Sequence, residues 1–180
     1  MTLPTIDTAY LLEFATGLLN TPSPTGLTDA GIAFTQQTLS AFGGLQFTRT
    51  RKGALVVTWP GQHDDAPRAL TAHVDTLGAM VKEIKSNGRL KLTQLGGYAW
   101  NTVEGEGVTV FAANGQQYRG AILLNTASAH VHGGKVNETK READAMEVRL
   151  DLRTTSREET EGFGIRVGDF VAFDPRVEVN

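Results

Sequence analysis

The sequence has no cysteine, which excludes a disulfide framework and thiolate zinc sites alike. Any transition metal would have to be held by histidine and carboxylate side chains, and there are four histidines in 180 residues. An excess of charge of one sign is also lacking. The formal net charge is −3, and the longest basic cluster, Arg49, Arg51 and Lys52, reads as a solvated strand edge, so no nucleic-acid partner is expected. No stretch approaches the roughly 20 apolar residues that span a bilayer, so no membrane association is expected. The N-terminal stretch "MTLPTIDTAYLLEFA" lacks the basic region, apolar core and small-residue cleavage site of a secretory signal. These absences lead to the expectation of a soluble, cytoplasmic protein. Phosphate-binding and dinucleotide-binding glycine patterns are missing, as is the G-x-S-x-G elbow of serine hydrolases.

What is present is ordinary globular composition, 40% hydrophobic and 21% charged, at a length that allows one domain or a domain with a smaller inserted lobe. Asp7 is placed to cap a helix whose Leu11, Leu12, Ala15, Leu18 and Leu19 share one face, with Ile6 positioned as a hydrophobic staple. "TPSPTG" at 21–26 breaks that helix, because two prolines cannot sit in a helix interior. A second helix is predicted from near Thr28 to Phe42, ended by Gly43 and Gly44. "GALVVTW" (53–59) and "RALTAHV" (68–74) then read as apolar strands joined by the hairpin loop "PGQHDDAP". Helices followed by continuous apolar strands predict an α/β arrangement with a mixed sheet covered by helices.

From about residue 80 to 153 the texture changes to short alternating strands punctuated by "SNG", "GG", "ANG" and "HGG", with no convincing helix. This predicts a compact β-rich lobe, a barrel or a sandwich. Beyond it, Ser156 and Glu159 form a capping box for one short helix, and "GIRVGDFVAFDP" reads as a turn and a strand.

The chemistry concentrates in "TAHVDTLGAMV" (71–81). His73 and Asp75 lie at i and i+2, so a strand continuing through them would project both side chains to one side. A metal-bound imidazole usually gives its second ring N–H to a carboxylate, which makes Asp75 a candidate orienting group for a His73 ligand. On spacing alone, a structural pair, His73 hydrogen-bonded at a strand end and Asp75 capping a turn, accounts for the triplet more readily than a metal site. Other clusters compete less well. His63 with Asp64 and Asp65 reads as a hairpin loop. His130 and His132 alternate onto one strand face and read as an exposed edge beside a glycine turn. Asp169 and Asp174 lie in a turn and strand near the end of the chain.

The order "TPSPTG", "AHVDTLGAMV", "LGG", β lobe, "SREETEGFGIRVGDFVAFDP" resembles the tetrahedral aminopeptidases, the glutamyl or deblocking aminopeptidase family of metallopeptidases, over nearly the whole chain. The resemblance implies a zinc-peptidase-like α/β catalytic domain over 1–77 and 160–180, interrupted by an inserted β-rich lobe over 78–159 that mediates dimerisation and assembly into homo-oligomers. It implies a peptide substrate and divalent metal, zinc or cobalt, with two ions in the complete enzyme. It places the first metal-binding histidine at His73 and the acid that orients it, counted among the catalytic residues, at Asp75. Members of that family continue for roughly as many residues again, and the continuation carries the bridging aspartate, the glutamate base, further carboxylate ligands and the last histidine. An incomplete catalytic domain, inactive as these 180 residues, is therefore the expectation. The alternative is a non-catalytic β-rich assembly or binding module related to the peptidases.

Overall fold

The computed structural model describes residues 5–63 and 65–180. They divide into two units, Met1–Asp75 with Pro175–Asn180, and Thr76–Asp174.

In the first unit, α1 (Thr8–Leu19) starts where the Asp7 carboxylate accepts the Tyr10 N–H at 3.0 Å, satisfying one of the amides that a helix start leaves without a partner. Ile6, placed as a staple, remains 71% exposed. Helix α2 (Asp29–Leu39) ends short of the expected Phe42. Its last residues turn instead, with the Ser40 hydroxyl donating to the Gln36 carbonyl at 2.7 Å. The two helices meet through Phe14 and Phe34, with ring centroids 5.8 Å apart. Gly17 permits this approach, since a Cβ there would sit 2.5 Å from the Phe34 ring. Asn20 then ties the C-terminal segment to the end of α1, donating to the Val177 carbonyl and accepting the Val177 N–H, each at 2.9 Å.

The sheet of this unit differs from the expectation. Strand β2 (Leu55–Thr58) pairs antiparallel with β1 (Gln46–Arg49), in register from Gln46↔Thr58 to Arg49↔Leu55. The hairpin thus folds back on the segment before it, through a turn in which Thr50 Oγ1 accepts the Ala54 N–H at 3.0 Å. Residues 68–74, expected as the partner strand, form no strand, and Leu70 is 99% exposed. An apolar run becomes a strand only when a neighbour takes its backbone hydrogen bonds, and no described strand pairs with 68–74. Among the described residues of this unit, only Ser23, Pro24 and Gly31 are buried.

The second unit is a closed six-stranded antiparallel barrel in the order β3-β4-β7-β6-β5-β8. Its strands are β3 (Gly78–Ile84), β4 (Leu90–Leu95), β5 (Gly107–Phe111), β6 (Gln117–Leu124), β7 (Met146–Leu150) and β8 (Phe170–Phe173). Period-two alternation turns Val108 and Val110, Ile122 and Leu124, and Met146, Val148 and Leu150 into one interior. A bulge between Val81 and Glu83 shifts the phase of β3, so that Ile84 is buried as Ala79 and Val81 are. Closure removes the unpaired sheet edges an open lobe would leave. β8 completes it, pairing with both β3 and β5, and for that reason this unit runs to Asp174, past the boundary at 159 drawn from sequence.

Two short helices, α3 (Ala129–His132) and α4 (Lys135–Glu138), interrupt the lobe where none was expected. Helix α5 (Arg157–Gly162) carries the expected box in altered form. The Ser156 hydroxyl accepts the Glu159 N–H at 3.2 Å, while the Glu159 carboxylate reaches past the cap to the Thr155 N–H at 2.6 Å. That backbone contact is the chief cause holding the Glu159 carboxyl below its ordinary pKa. No helix among the described residues is long and apolar enough to cross a membrane.

One turn depends strictly on glycine. Gly88, in the β3–β4 turn, has φ +79°, and a Cβ there would lie 2.8 Å from Thr160 Oγ1 and 2.9 Å from the Ser156 carbonyl. Gly115 has φ +84° with nothing within 4 Å of the corresponding position. Gly115→Ala is expected to cost only the left-handed backbone penalty, about 1–2 kcal/mol. Gly88→Ala is expected to cost that and the steric clash as well. Equal losses in chemical denaturation would show that the Thr160 contact yields freely.

Candidate functional site

Residues 70–75 run without ladder hydrogen bonds, so the direction of the His73 ring is set by local contacts with Asp75. Its Nδ1 lies 2.9 Å from Asp75 Oδ1 and 3.2 Å from the Asp75 backbone carbonyl oxygen. An N–H at Nδ1 donating to this carboxylate leaves the lone pair on Nε2, the atom free to ligate. The imidazole is 84% exposed and the Asp75 carboxyl 37% exposed, so the ring faces solvent and is not packed into a core. The other carboxylate oxygen is also engaged: Thr25 Oγ1 donates to Asp75 Oδ2 at 2.6 Å.

Thr25 reaches Asp75 because its turn is anchored. Ser23 packs against Gly31 at the start of α2, where a Cβ would be 2.8 Å from Ser23 Oγ and 3.5 Å from Val74 Cγ2. A larger residue at 31 would push the 21–26 turn away from the 73–75 segment. Electrostatics follow from the contacts. The Thr25 hydroxyl is the largest influence lowering the Asp75 pKa; partial burial opposes it, the His73 ring adds to it, and the net shift is downward. Asp75 is therefore a carboxylate at neutral pH and an acceptor toward both neighbours.

The structure brings together His73 and Asp75 as the sequence spacing suggested, though by a local side-chain bond in an extended loop and not by a shared strand face. The remaining candidates do not join them. His63 and Asp65 are exposed loop residues, and Asp64 lies outside the described residues. His130 and His132 sit on α3 and not on a strand, and two residues apart on a helix they point in nearly opposite directions, which corrects the expectation that they share a face. Asp169 is 4% exposed and accepts the N–H groups of Ala113 at 3.1 Å and Arg166 at 2.7 Å, so it organises the turn into β8. Asp174 is paired with Arg119. Two surface clefts belong wholly to the barrel unit and share Arg89 and Arg149. They contain neither His73 nor Asp75.

Among the described residues, no group of three or more histidine, cysteine, aspartate or glutamate side chains could hold a metal ion. The residues present fit one ligand and its orienting acid, whereas a catalytic zinc takes about three protein ligands and an open position. Sequence reasoning missed Thr25. "TPSPTG" signalled a rigid turn, but nothing local could name a partner 50 positions away.

Comparison with known proteins places this geometry in context. The family model described as M42 glutamyl aminopeptidase matches residues 53–180. The protein named "Putative aminopeptidase YhfE" from Bacillus subtilis is 45% identical over 168 residues, covering 93% of this chain and 48% of that protein. The lysyl aminopeptidase of Pyrococcus furiosus is 30% identical over 114 residues, 61% of this chain and 31% of its own length. Among solved structures, a TET aminopeptidase from a marine-sediment Thaumarchaeota archaeon superposes with a TM-score of 0.76 at 25% identity, covering 94% of this chain and 46% of that one. An aminopeptidase from Desulfurococcus kamchatkensis gives 0.78 at 25% identity, over 96% and 45%. The chain thus spans about half the length of the Bacillus subtilis relative and of both solved structures. It is a member of the M42 glutamyl aminopeptidase family.

Proposed function

We propose that these residues form the first part of a metal-dependent aminopeptidase that removes N-terminal residues from peptides in the cytoplasm. In this reading the unit Met1–Asp75 with Pro175–Asn180 belongs to an incomplete catalytic domain. The barrel is an inserted lobe through which copies assemble. The observation that carries the reading is the exposed His73 ring held at Nδ1 by Asp75, in a chain of this family. His73 Nε2 would hold one divalent ion, zinc or cobalt, and Asp75 would fix the ring and raise its basicity. Such an ion, when bound, polarises a substrate carbonyl and makes a bound water more acidic. The scarcity of buried residues in the first unit and the full exposure of Leu70 support the view that further chain normally covers it. Assembly is supported by the fold shared with a solved PhTET1 structure described as a dodecamer, at TM-score 0.70 and 18% identity.

The test is a fusion of residues 1–180 to the remaining half of the Bacillus subtilis relative. With zinc or cobalt, the fusion is expected to release the N-terminal residue from a peptide with a free amino group and to leave its N-acetylated counterpart intact. Residues 1–180 alone are expected to release nothing. A folded, metal-loaded fusion without activity would overturn the peptidase reading, and activity in the 180-residue chain would overturn the incomplete-site part of it.

One observation favours the second reading, a non-catalytic assembly module: the barrel closes on itself around its own core. Stable oligomers of the isolated chain beside an inactive fusion would support it.

A further inference from the structure

We infer that Thr25 is a positioning residue that sets the tautomer and direction of the His73 ring through Asp75. Its functional consequence rests on the reading of His73 as a metal ligand, but the structural relay does not.

Little else holds the pair. Segment 70–75 has no strand partner, and the one backbone group on the ring, the Asp75 carbonyl, lies 3.2 Å from Nδ1, farther than the carboxylate at 2.9 Å. The ring is 84% exposed and the carboxyl 37% exposed, so water competes for every polar atom. An aspartate carboxyl rotates easily about its last torsion, whose preference is broad. Held only by His73, it would swing, leaving an Nδ1 proton only the longer contact to the Asp75 carbonyl and easing its transfer to Nε2, the nitrogen that must be bare to ligate. Thr25 supplies the second tether. Its hydroxyl meets Oδ2 at 2.6 Å while Oδ1 faces His73 Nδ1 at 2.9 Å, so the carboxylate is gripped at both oxygens and its plane is defined. The 2.6 Å separation is that of a charge-assisted O–H···O⁻ bond, roughly twice as strong as a neutral one.

The tether is useful because its anchor is stiff. Pro22 and Pro24 restrict the backbone on either side of Ser23, which is 0% exposed. The Leu27 N–H closes the turn on the Pro24 carbonyl at 2.8 Å, and Thr21 Oγ1 binds the Gly17 carbonyl of α1 at 2.9 Å. Thr25 itself is exposed, so its side chain contributes little to packing and its hydroxyl is free to act as a directed donor.

The experiment is heteronuclear NMR of the ring nitrogens in ¹⁵N-labelled residues 1–180, in alkaline buffer. The parent is expected to show His73 predominantly as the Nδ1–H tautomer. Thr25→Val, which keeps the shape and removes the donor, should lose that predominance in favour of Nε2–H, and Thr25→Ala should do the same. Thr25→Ser, which restores a hydroxyl, should recover the parent signal. A contact that merely tied two loops together would leave the tautomer unchanged in all three. A parent ring that is mainly Nε2–H, or a Thr25→Val ring identical to the parent, overturns the inference. Zinc titration of the fusion with and without His73→Ala reads the ligand role separately. A tautomer that responds to Thr25 while zinc affinity ignores His73 would sustain this inference and sink the metal reading.

Discussion

Replacing both cations that enclose Glu147, in Lys85→Met with Arg89→Met, is expected to destabilise the barrel by about 3–5 kcal/mol, the usual cost of stripping a buried charge of its partners. Glu147 lies on the outer side of β7, yet its side chain is 2% exposed, with Lys85 Nζ at 2.5 Å from one oxygen and Arg89 against the other. Lys85 and Arg89 are themselves 33% and 38% exposed. The asymmetry makes the prediction directional. Removing the cations leaves a carboxylate with no route to water, whereas Glu147→Leu leaves two long side chains that can turn outward and resolvate. Glu147→Leu should therefore cost less than the double substitution. The location raises the stakes, because the ladder between β4 and β7 consists of the single register pair Leu90↔Val148. Lys85 and Arg89 bracket the β3–β4 turn, where the Lys85 N–H meets the Arg89 carbonyl at 2.8 Å, and Glu147 precedes Val148. The ion triad thus spans the thinnest seam of the barrel. Urea denaturation followed by Trp100 fluorescence checks this, since Trp100 is 8% exposed in the barrel while Trp59 is 80% exposed in the other unit. A larger loss for Glu147→Leu than for the double substitution would reject the desolvation argument.

The second large effect is expected at the candidate site. In the fusion described above, Asp75→Ala should lower activity or metal affinity by on the order of 10 to 100-fold, the range found when a partner of a ligating histidine is lost. His73→Ala should lower it further, because it removes the ligand and not only its orientation. The two variants should also respond differently to added metal. Excess zinc or cobalt should recover part of the Asp75→Ala activity, whose Nε2 is still present, and none of the His73→Ala activity. Removing metal with a chelator should abolish activity in the parent fusion. If Asp75→Ala matches the parent in both affinity and rate, the carboxylate only organises the loop, and the structural pairing left open by the sequence spacing is the right one.

How much of this could be read along the chain depends on the range of each interaction. The Asp7 cap and the Ser156–Glu159 box were legible because their partners lie three residues apart. The barrel strands were legible because period-two alternation between glycine turns reports which side of a strand is buried. The apolar run 68–74 carried the same signal as 55–58, yet only the second became a strand. The difference lies in Gln46–Arg49, whose polar residues gave no strand signal of their own but supply β2 with a hydrogen-bonding edge. The "AHVH" stretch alternated like a strand and formed a helical turn, since four residues are too few for periodicity to discriminate. The His73–Asp75 pair was visible at spacing two, while Thr25 was invisible at spacing 50.

By itself, then, the amino-acid order determined the local matters: where helices begin, which strand faces are apolar, and that an imidazole and an acid stand close enough to pair. Tertiary structure alone decided the strand order β3-β4-β7-β6-β5-β8, the inclusion of Phe170–Phe173 in the barrel, and the grip of Thr25 on Asp75. Those outcomes turn on which backbone edge or hydroxyl satisfies a group that needs a hydrogen bond. Each such contact brings together segments far apart in the chain, against loop-closure entropy that no short window of residues records.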